Sequence, residues 1–408
     1  MNRETYIKIR KLIRDHLPKN TTTFVFSGLP IRKSADADYP FHANRNFVYA
    51  TGIEEPGAVL VFDPKGDILF LRDVDESQEK WVGHYMRKEE AQDICGIKDV
   101  RYFEDFDKYL NKVLESNNRI GLDMDHNTYQ EQVYGSAIGM ADYVGIQRVT
   151  DVTEIFVRSR MVKFPEEVDA IKHAIKVTHE SILAMLEEMK PDANENDMAA
   201  RFHYEGAKQS GDQMFETIVA SGMNGTVLHY IKNDEPLNDG ELVLLDLGIR
   251  VNHYGADISQ TYPINGTFTP RQRDIYNVVL ECFEAVKAAA RPGVSIIDLN
   301  ELSKEKLAQG LKTLGLLERS EDIGRYYYHS VGHSLGLDTH DVWSDRAMPL
   351  EPGHVITDEP GLYIAEEGIG IRIETDLLIT EDGCEDLAPF IIRDADGIEA
   401  LLKEIHNT

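Results

Sequence analysis

The sequence predicts an α+β protein of two domains, and three observations carry that prediction. Residues 1–155 alternate short apolar runs with helical patterns, as an α/β layer of domain size does. The second half instead groups its strand-like and helix-like segments in blocks, which favours α+β with a mostly antiparallel sheet. Between them, Val162-Lys163-Phe164 leads into Pro165-Glu166-Glu167, a helix start with Pro in its first turn and acids at the positive dipole end. The boundary falls near residue 160, giving domains over 1–160 and 161–408.

The elements follow in order. In MNRETYIKIRKLIRDHL, Ile7, Ile9, Leu12, Ile13 and Leu17 lie near helical spacing, so the segment reads as an amphipathic helix and not as a secretory signal. Runs 23–27, 58–62 and 67–71 are strand-like, the last two joined by Asp63-Pro64-Lys65-Gly66, a tight hairpin turn. Residues 104–117 and 128–140 read as helices and 119–122 as a buried strand. After Pro165, Val168, Ile171, Ile175, Ile182, Met185, Leu186 and Met189 keep a helical stripe until Lys190-Pro191 stops it. Beyond it the pattern predicts a helix over 194–210, strands over 216–221 and 241–263, and helices over 271–290 and 297–315. Strands over 327–333, 354–364 and 369–380 complete the chain.

Composition bounds the function. The 408 residues include 71 acidic and 43 basic side chains, a formal charge of -28, which argues against nucleic acid as a partner. The charge is uneven: residues 1–160 hold 22 Lys/Arg against 26 Asp/Glu, whereas 161–408 hold 21 against 45. Cys95, Cys282 and Cys384 are scattered without a CxxC pair, which points to a reducing compartment and excludes a thiolate metal cluster. No stretch approaches the ~18 apolar residues that span a bilayer. The expectation is a cytoplasmic protein without a membrane partner.

Three segments carry chemistry. In LVLLDLGIRVNHYGADISQTY, two strand-like runs flank a turn near Val251-Asn252, and each holds one carboxylate among apolar or small residues, Asp246 and Asp257. Pairing symmetric about that turn sets the two directly opposite, with Cβ atoms about 4.5–5.5 Å apart. Ionised carboxylates that close repel, so one must be protonated or a cation must sit between them. Two solvent-facing strand acids are the plainer alternative. In TDEPGLYIAEEGIGIRIET, Glu359 and Glu374 face each other about a turn near Glu366-Glu367, and Arg372, Glu374 and Asp376 share a strand face. A surface ladder would look similar. The third segment, YYYHSVGHSLGLDTHD, holds His329, His333 and His340, with Gly332 and Gly336 allowing close backbone approach; His229 lies apart in VASGMNGTVLHY. Four carboxylates and an imidazole make an oxygen-rich set suited to two divalent cations, favouring Mn²⁺, with Co²⁺ or Zn²⁺ as substitutes.

At these residues the chain resembles the M24 metallopeptidases of the pita-bread fold. The aspartate spacing, GHSLGLDTHD, EPGLY and GIGIRIE carry the resemblance. Within M24 the first domain is similar to that of the aminopeptidase P group, through Ala37-Asp38-Tyr39-Pro40-Phe41, Asn46-Phe47-Val48-Tyr49, Thr51-Gly52, Glu55-Pro56 and Trp81-Val82-Gly83. The resemblance implies a pita-bread catalytic domain over 161–408 behind a creatinase-like α/β domain over 1–160. It implies Asp257 and Glu374 as bridging ligands, Asp246 on one metal, and His333 with Glu359 on the other. His229, His329 and His340 match the family's catalytic histidines, and Arg372 its supporting arginine; Glu359 would also shuttle the proton. The implied reaction is release of the N-terminal residue from peptides with proline second, by a metal-bridging hydroxide, in a homodimer or homotetramer. Prolidase is the alternative, because six residues separate Tyr363 from Gly370 beside the implied cleft. Creatinase-type chemistry and a non-catalytic peptide-binding module fit less well, since such relatives lack the ligand set.

Overall fold

The computed structural model describes residues 1–116, 118–124 and 130–407. They form two compact units, Met1–Arg160 and Met161–Thr408. The first is built on a mixed six-stranded sheet, β1 Thr21–Phe26, β2 Val59–Asp63, β3 Gly66–Leu71, β4 Asp99–Tyr102, β5 Arg119–Leu122 and β6 Val149–Asp151, in the order β4-β3-β2-β1-β5-β6. The β2–β3 hairpin closes on Asp63 paired with Gly66, and the Lys65 N–H donates to Asp63 Oδ1 at 2.8 Å, as an Asx turn does. Period-two alternation puts Phe24, Val59, Val61, Ile68 and Phe70 on one face, where Phe106, Leu110 and Val113 of helix Phe106–Glu115 cover them. The predicted N-terminal helix is Arg3–His16, its first turn capped by Asn2 accepting from the Thr5 N–H. Helix Gln130–Val144 occupies the second predicted stretch; Thr128, and the Asn117 end of the first, lie outside the described residues.

Among the described residues of the second unit every strand pair is antiparallel. Its strands are β7 Asp212–Gln213, β8 Ile218–Ser221, β9 Leu242–Leu247, β10 Ile249–Val251, β11 Tyr254–Gly255, β12 Ile258–Pro263, β13 Val355–Asp358, β14 Gly361–Ile364, β15 Ile369–Arg372, β16 Thr375–Ile379 and β17 Cys384–Asp386. Helices Pro165–Leu186, Glu195–Lys208, Pro270–Ala289 and Ile296–Thr313 start where caps predict, the last three through reciprocal capping boxes on Asn194, Thr269 and Ser295.

Three departures from the expected pattern shape the site. The 241–263 run is cut at Gly248, where a Cβ would stand 1.9 Å from the Ala256 carbonyl oxygen. Its turn is Asn252-His253, both with positive φ (51° and 78°), one residue later than expected. That displacement moves every cross-strand partner by two positions, so Asp246 faces Ser259 and not Asp257. Secondly, the 354–364 and 369–380 runs break at Glu359-Pro360 and Ile373-Glu374. The register is nevertheless continuous across the gap, Asp358 pairing with Thr375 on one side and Gly361 with Arg372 on the other. Thirdly, 327–333 is not a strand. The segment lies beside β13 through single backbone bonds, Thr357 N–H to His333 O and Glu359 N–H to Val331 O, each at 2.9 Å, with Gly332 between them. At Gly332 a Cβ would meet the Thr357 carbonyl oxygen at 2.2 Å.

Candidate metal centre

Breaks in the ladders free the side chains that matter. At the gap between β15 and β16, the Glu374 N–H turns to the Ser259 carbonyl of β12 at 2.9 Å, so the two hairpins meet at this residue. Ser259 Oγ donates to Glu374 Oε2 at 2.6 Å and accepts from Arg372 Nε at 2.8 Å. The buried Arg372 guanidinium also reaches Asp246 Oδ2 at 2.5 Å and the Tyr363 hydroxyl at 2.9 Å. Asp257, at the foot of β12, is fixed by its own N–H donating to Asp376 Oδ2 at 3.3 Å.

His333 supplies the informative geometry. Its Nδ1 lies 3.1 Å from the Ser334 carbonyl, which can only accept, so the ring proton belongs on Nδ1. In the neutral ring Nε2 then points a lone pair at Asp257 Oδ2 and Glu359 Oε1, each 3.4 Å away. Acceptors thus face acceptors in a buried space. Donor atoms of Asp257, His333 and Glu374 all lie within 4.8 Å of one another, and Glu359 adjoins them through His333. Asp246 Oδ1 is buried and accepts no hydrogen bond. Burial raises the acid pKa of Asp257, Glu374 and Glu359, and neighbouring carboxylates, Asp246 among them, push each further up. Oxygen donors with one imidazole, an orphaned carboxylate oxygen and a lone pair aimed at two carboxylates fit divalent cations.

The remaining histidines ring this cluster. The His340 ring centroid is 4.1 Å from that of His333; although the residue keeps an exposed edge, partial burial, then the neighbouring His333 and His229 rings, disfavour its protonation and hold it down at about 4. His329 has both nitrogens engaged, Nδ1 with the Ser330 carbonyl and Nε2 with the Tyr363 hydroxyl, each at 2.8 Å. Burial, then Arg372, push it to about 3, so it is neutral near pH 7. His229 is exposed, yet near enough to His329 and His340 to oppose the protonation of both.

Eight of the nine residues singled out from the sequence therefore gather in one place through direct contacts, with Asp246 and Asp257 offset diagonally and not opposed, while His229 is linked to them through its electrostatic effect on His329 and His340. Sequence reasoning missed Ser259 and Tyr363, which tie Arg372 to Glu374 and His329, and left Asp376 without a role. Ser259 was available from the correct register, and Tyr363 from its period-two spacing after Glu359.

Comparison with known proteins identifies the family. Residues 169–381 match Metallopeptidase family M24, and residues 6–121 match Aminopeptidase P, N-terminal domain. The chain is 32% identical to a Xaa-Pro aminopeptidase of Escherichia coli (strain K12) over 98% of both chains. It superposes on an aminopeptidase P from E. coli, solved with the inhibitor Pro-Leu, at a TM-score of 0.91, with 31% identity and 100% of each chain covered. Xaa-Pro aminopeptidase 3 of Homo sapiens is 31% identical over 92% of this chain and 79% of its own. With its catalytic segment matched and a full-length relative at this identity, the chain belongs to metallopeptidase family M24.

Proposed function

We propose that the protein is a metal-dependent Xaa-Pro aminopeptidase, releasing the N-terminal residue from peptides whose second residue is proline. The single observation that carries this reading is the buried meeting of acceptors at His333 Nε2, Asp257 and Glu359, beside Glu374 and the unbonded Asp246 oxygen. Asp246, Asp257, His333, Glu359 and Glu374 would hold two divalent cations, Mn²⁺ first on ligand chemistry; a Zn-substituted E. coli aminopeptidase P is among the similar structures. Such cations lower the pKa of water towards ~7 and polarise a carbonyl oxygen.

The chain's own groups then divide the work. Glu359, beside His333 Nε2, would take a proton from the attacking water and deliver it to the leaving proline nitrogen. His340, neutral above about pH 4, can offer an N–H to the oxygen that gains charge, and His229, close enough to act on it electrostatically, would assist. His329 has no free nitrogen for proton transfer and instead anchors Tyr363, which Arg372 also grips. Proline nitrogen carries no N–H, so recognition must use ring shape and the carbonyl. A homodimer or homotetramer and a cytoplasmic location complete the proposal; no helix among the described residues is long and apolar enough to cross a membrane.

Incubating the Mn²⁺-loaded protein with Xaa-Pro-Yaa tripeptides and Xaa-Pro dipeptides tests it. Cleavage of tripeptides is expected. Hydrolysis confined to dipeptides would replace the reading with prolidase, and no hydrolysis with no bound metal would leave a binding module.

A further inference from the structure

We infer that Glu195 is a positioning residue for His229, an assignment that rests on the reaction proposed above. Helix Glu195–Lys208 opens with a carboxylate that is fully buried, a costly placement unless its lone pairs are met. They are met five times. Oε1 accepts from the Ser221 N–H at 2.8 Å, Ser221 Oγ at 2.7 Å and Asn224 Nδ2 at 3.1 Å. Oε2 accepts from the Tyr230 hydroxyl at 2.8 Å and the Glu235 N–H at 3.1 Å.

Every donor belongs to the segment 221–235, which leaves β8 and carries His229 next to Tyr230. The Glu195 N–H returns a bond to the Glu235 carbonyl at 3.1 Å, so one residue holds both ends of the segment and a point beside the histidine. Leu228 and Tyr230 pack on the cluster of Ile218, Ala220, Leu244 and Tyr363, and the Tyr328 hydroxyl donates to the Thr226 carbonyl at 2.8 Å, but His229 itself is exposed, with Val227 and Ile231, and takes its place from its neighbours. Asn233 adds a bond to the Thr217 carbonyl at 2.8 Å, but that tie lies beyond the histidine. A carboxylate is required chemically. An amide in its place turns an N–H₂ toward Tyr230 or Glu235, and the Glu235 N–H cannot accept.

The test is a cycle of Glu195→Gln, His229→Ala and the double variant. The readouts are kcat and KM on a Xaa-Pro-Yaa tripeptide, metal content, and amide exchange at Ser221 and Glu235. Glu195→Gln should lower kcat/KM about tenfold in the wild-type background and have no further effect once His229 is Ala, with metal content unchanged. Exchange at Glu235 should quicken. Equal fold-losses in both backgrounds, as general damage would give, or unaltered exchange, would overturn the assignment. Should Glu195→Gln fail to fold, Tyr230→Phe deletes one of the five donors and enters the same cycle with the same expectation. A wild-type protein inactive on every Xaa-Pro peptide would instead sink the functional reading; the exchange rates, read without substrate, still decide the clamp.

Discussion

Arg10 of the N-terminal unit and the carboxylate cluster of the C-terminal unit treat buried charge in opposite ways. In the N-terminal unit Arg10 is buried with its donors used: Nη1 on the Ala50 carbonyl at 2.8 Å, Nη2 on that of Cys95 at 2.6 Å, and Nε on Asp67 at 3.0 Å. Its sheet runs unbroken through six strands. In the C-terminal unit the strands stop at Glu359 and Glu374, Asp246 leaves one oxygen unbonded, and two carboxylates crowd one imidazole nitrogen with Glu374 close by. A satisfied buried charge is a structural device, whereas buried acceptors facing one another mark a place for a cation. The contrast makes predictions that rank by effect on catalysis.

The largest effect belongs to the ligands. Glu374→Gln replaces one of two negative oxygens while keeping the shape that Ser259 grips, so its cost is charge and not packing. Metal content should fall and hydrolysis drop by more than about 10²-fold, since even outer partners of metal ligands cost about 10–100-fold. Elemental analysis beside an activity assay measures both. Full metal occupancy in that variant would remove Glu374 from the ligand set.

His340→Ala should separate rate from binding. The ring lies tilted against that of His333 and outside the group of three donor atoms within 4.8 Å. Loss of one donor to a developing oxyanion is worth about 10²–10³ in kcat. Metal content should stay whole; an emptied site would show that His340 is a ligand. Ser259→Ala comes next, because its hydroxyl links Arg372 to Glu374 without entering the donor cluster. A loss of metal affinity of about 10–100-fold is expected, read by titration, and Ser259→Thr should restore most of it.

How much of this was legible follows from the physics of each signal. The carboxylates and histidines stood out because ionisable residues among apolar strand residues are rare for good reason. The Glu359–Glu374 pairing was readable because the turn at Glu366-Glu367 preserves a simple register on both sides of the break. The Asp246–Asp257 pairing was misjudged because the two positive-φ residues of the turn are Asn252 and His253, not Val251 and Asn252, and a one-residue error in a turn moves a partner by two. The 327–333 segment resembles a strand in composition, yet glycine lets it approach β13 too closely for a pleated ladder. Glu195 left no signal at all: its donors lie 26 to 40 residues away, beyond any local periodicity.

The comparison is sharpest at a residue that sits in the catalytic unit but behaves like Arg10. Glu167 is buried, and both oxygens are met, by the Phe164 N–H at 2.9 Å and the Tyr254 hydroxyl at 2.8 Å. Burial nonetheless pushes its acid up to about 7, Lys163 opposing. Between the ordinary value near 4.5 and about 7, the folded chain therefore binds more protons than the unfolded one. This group's stabilising contribution is full below pH 4.5 and fades as pH rises through 7, by at most about 3 kcal/mol. Urea midpoints from pH 4.5 to 8 should fall more steeply for the wild type than for Glu167→Gln, while kcat and metal content stay alike. Carboxylates at the metal centre titrate in both proteins and cancel in the difference. Equal slopes would mean that Glu167 is ionised in the fold, and a change in kcat would mean that a fully hydrogen-bonded buried acid can still belong to the chemistry.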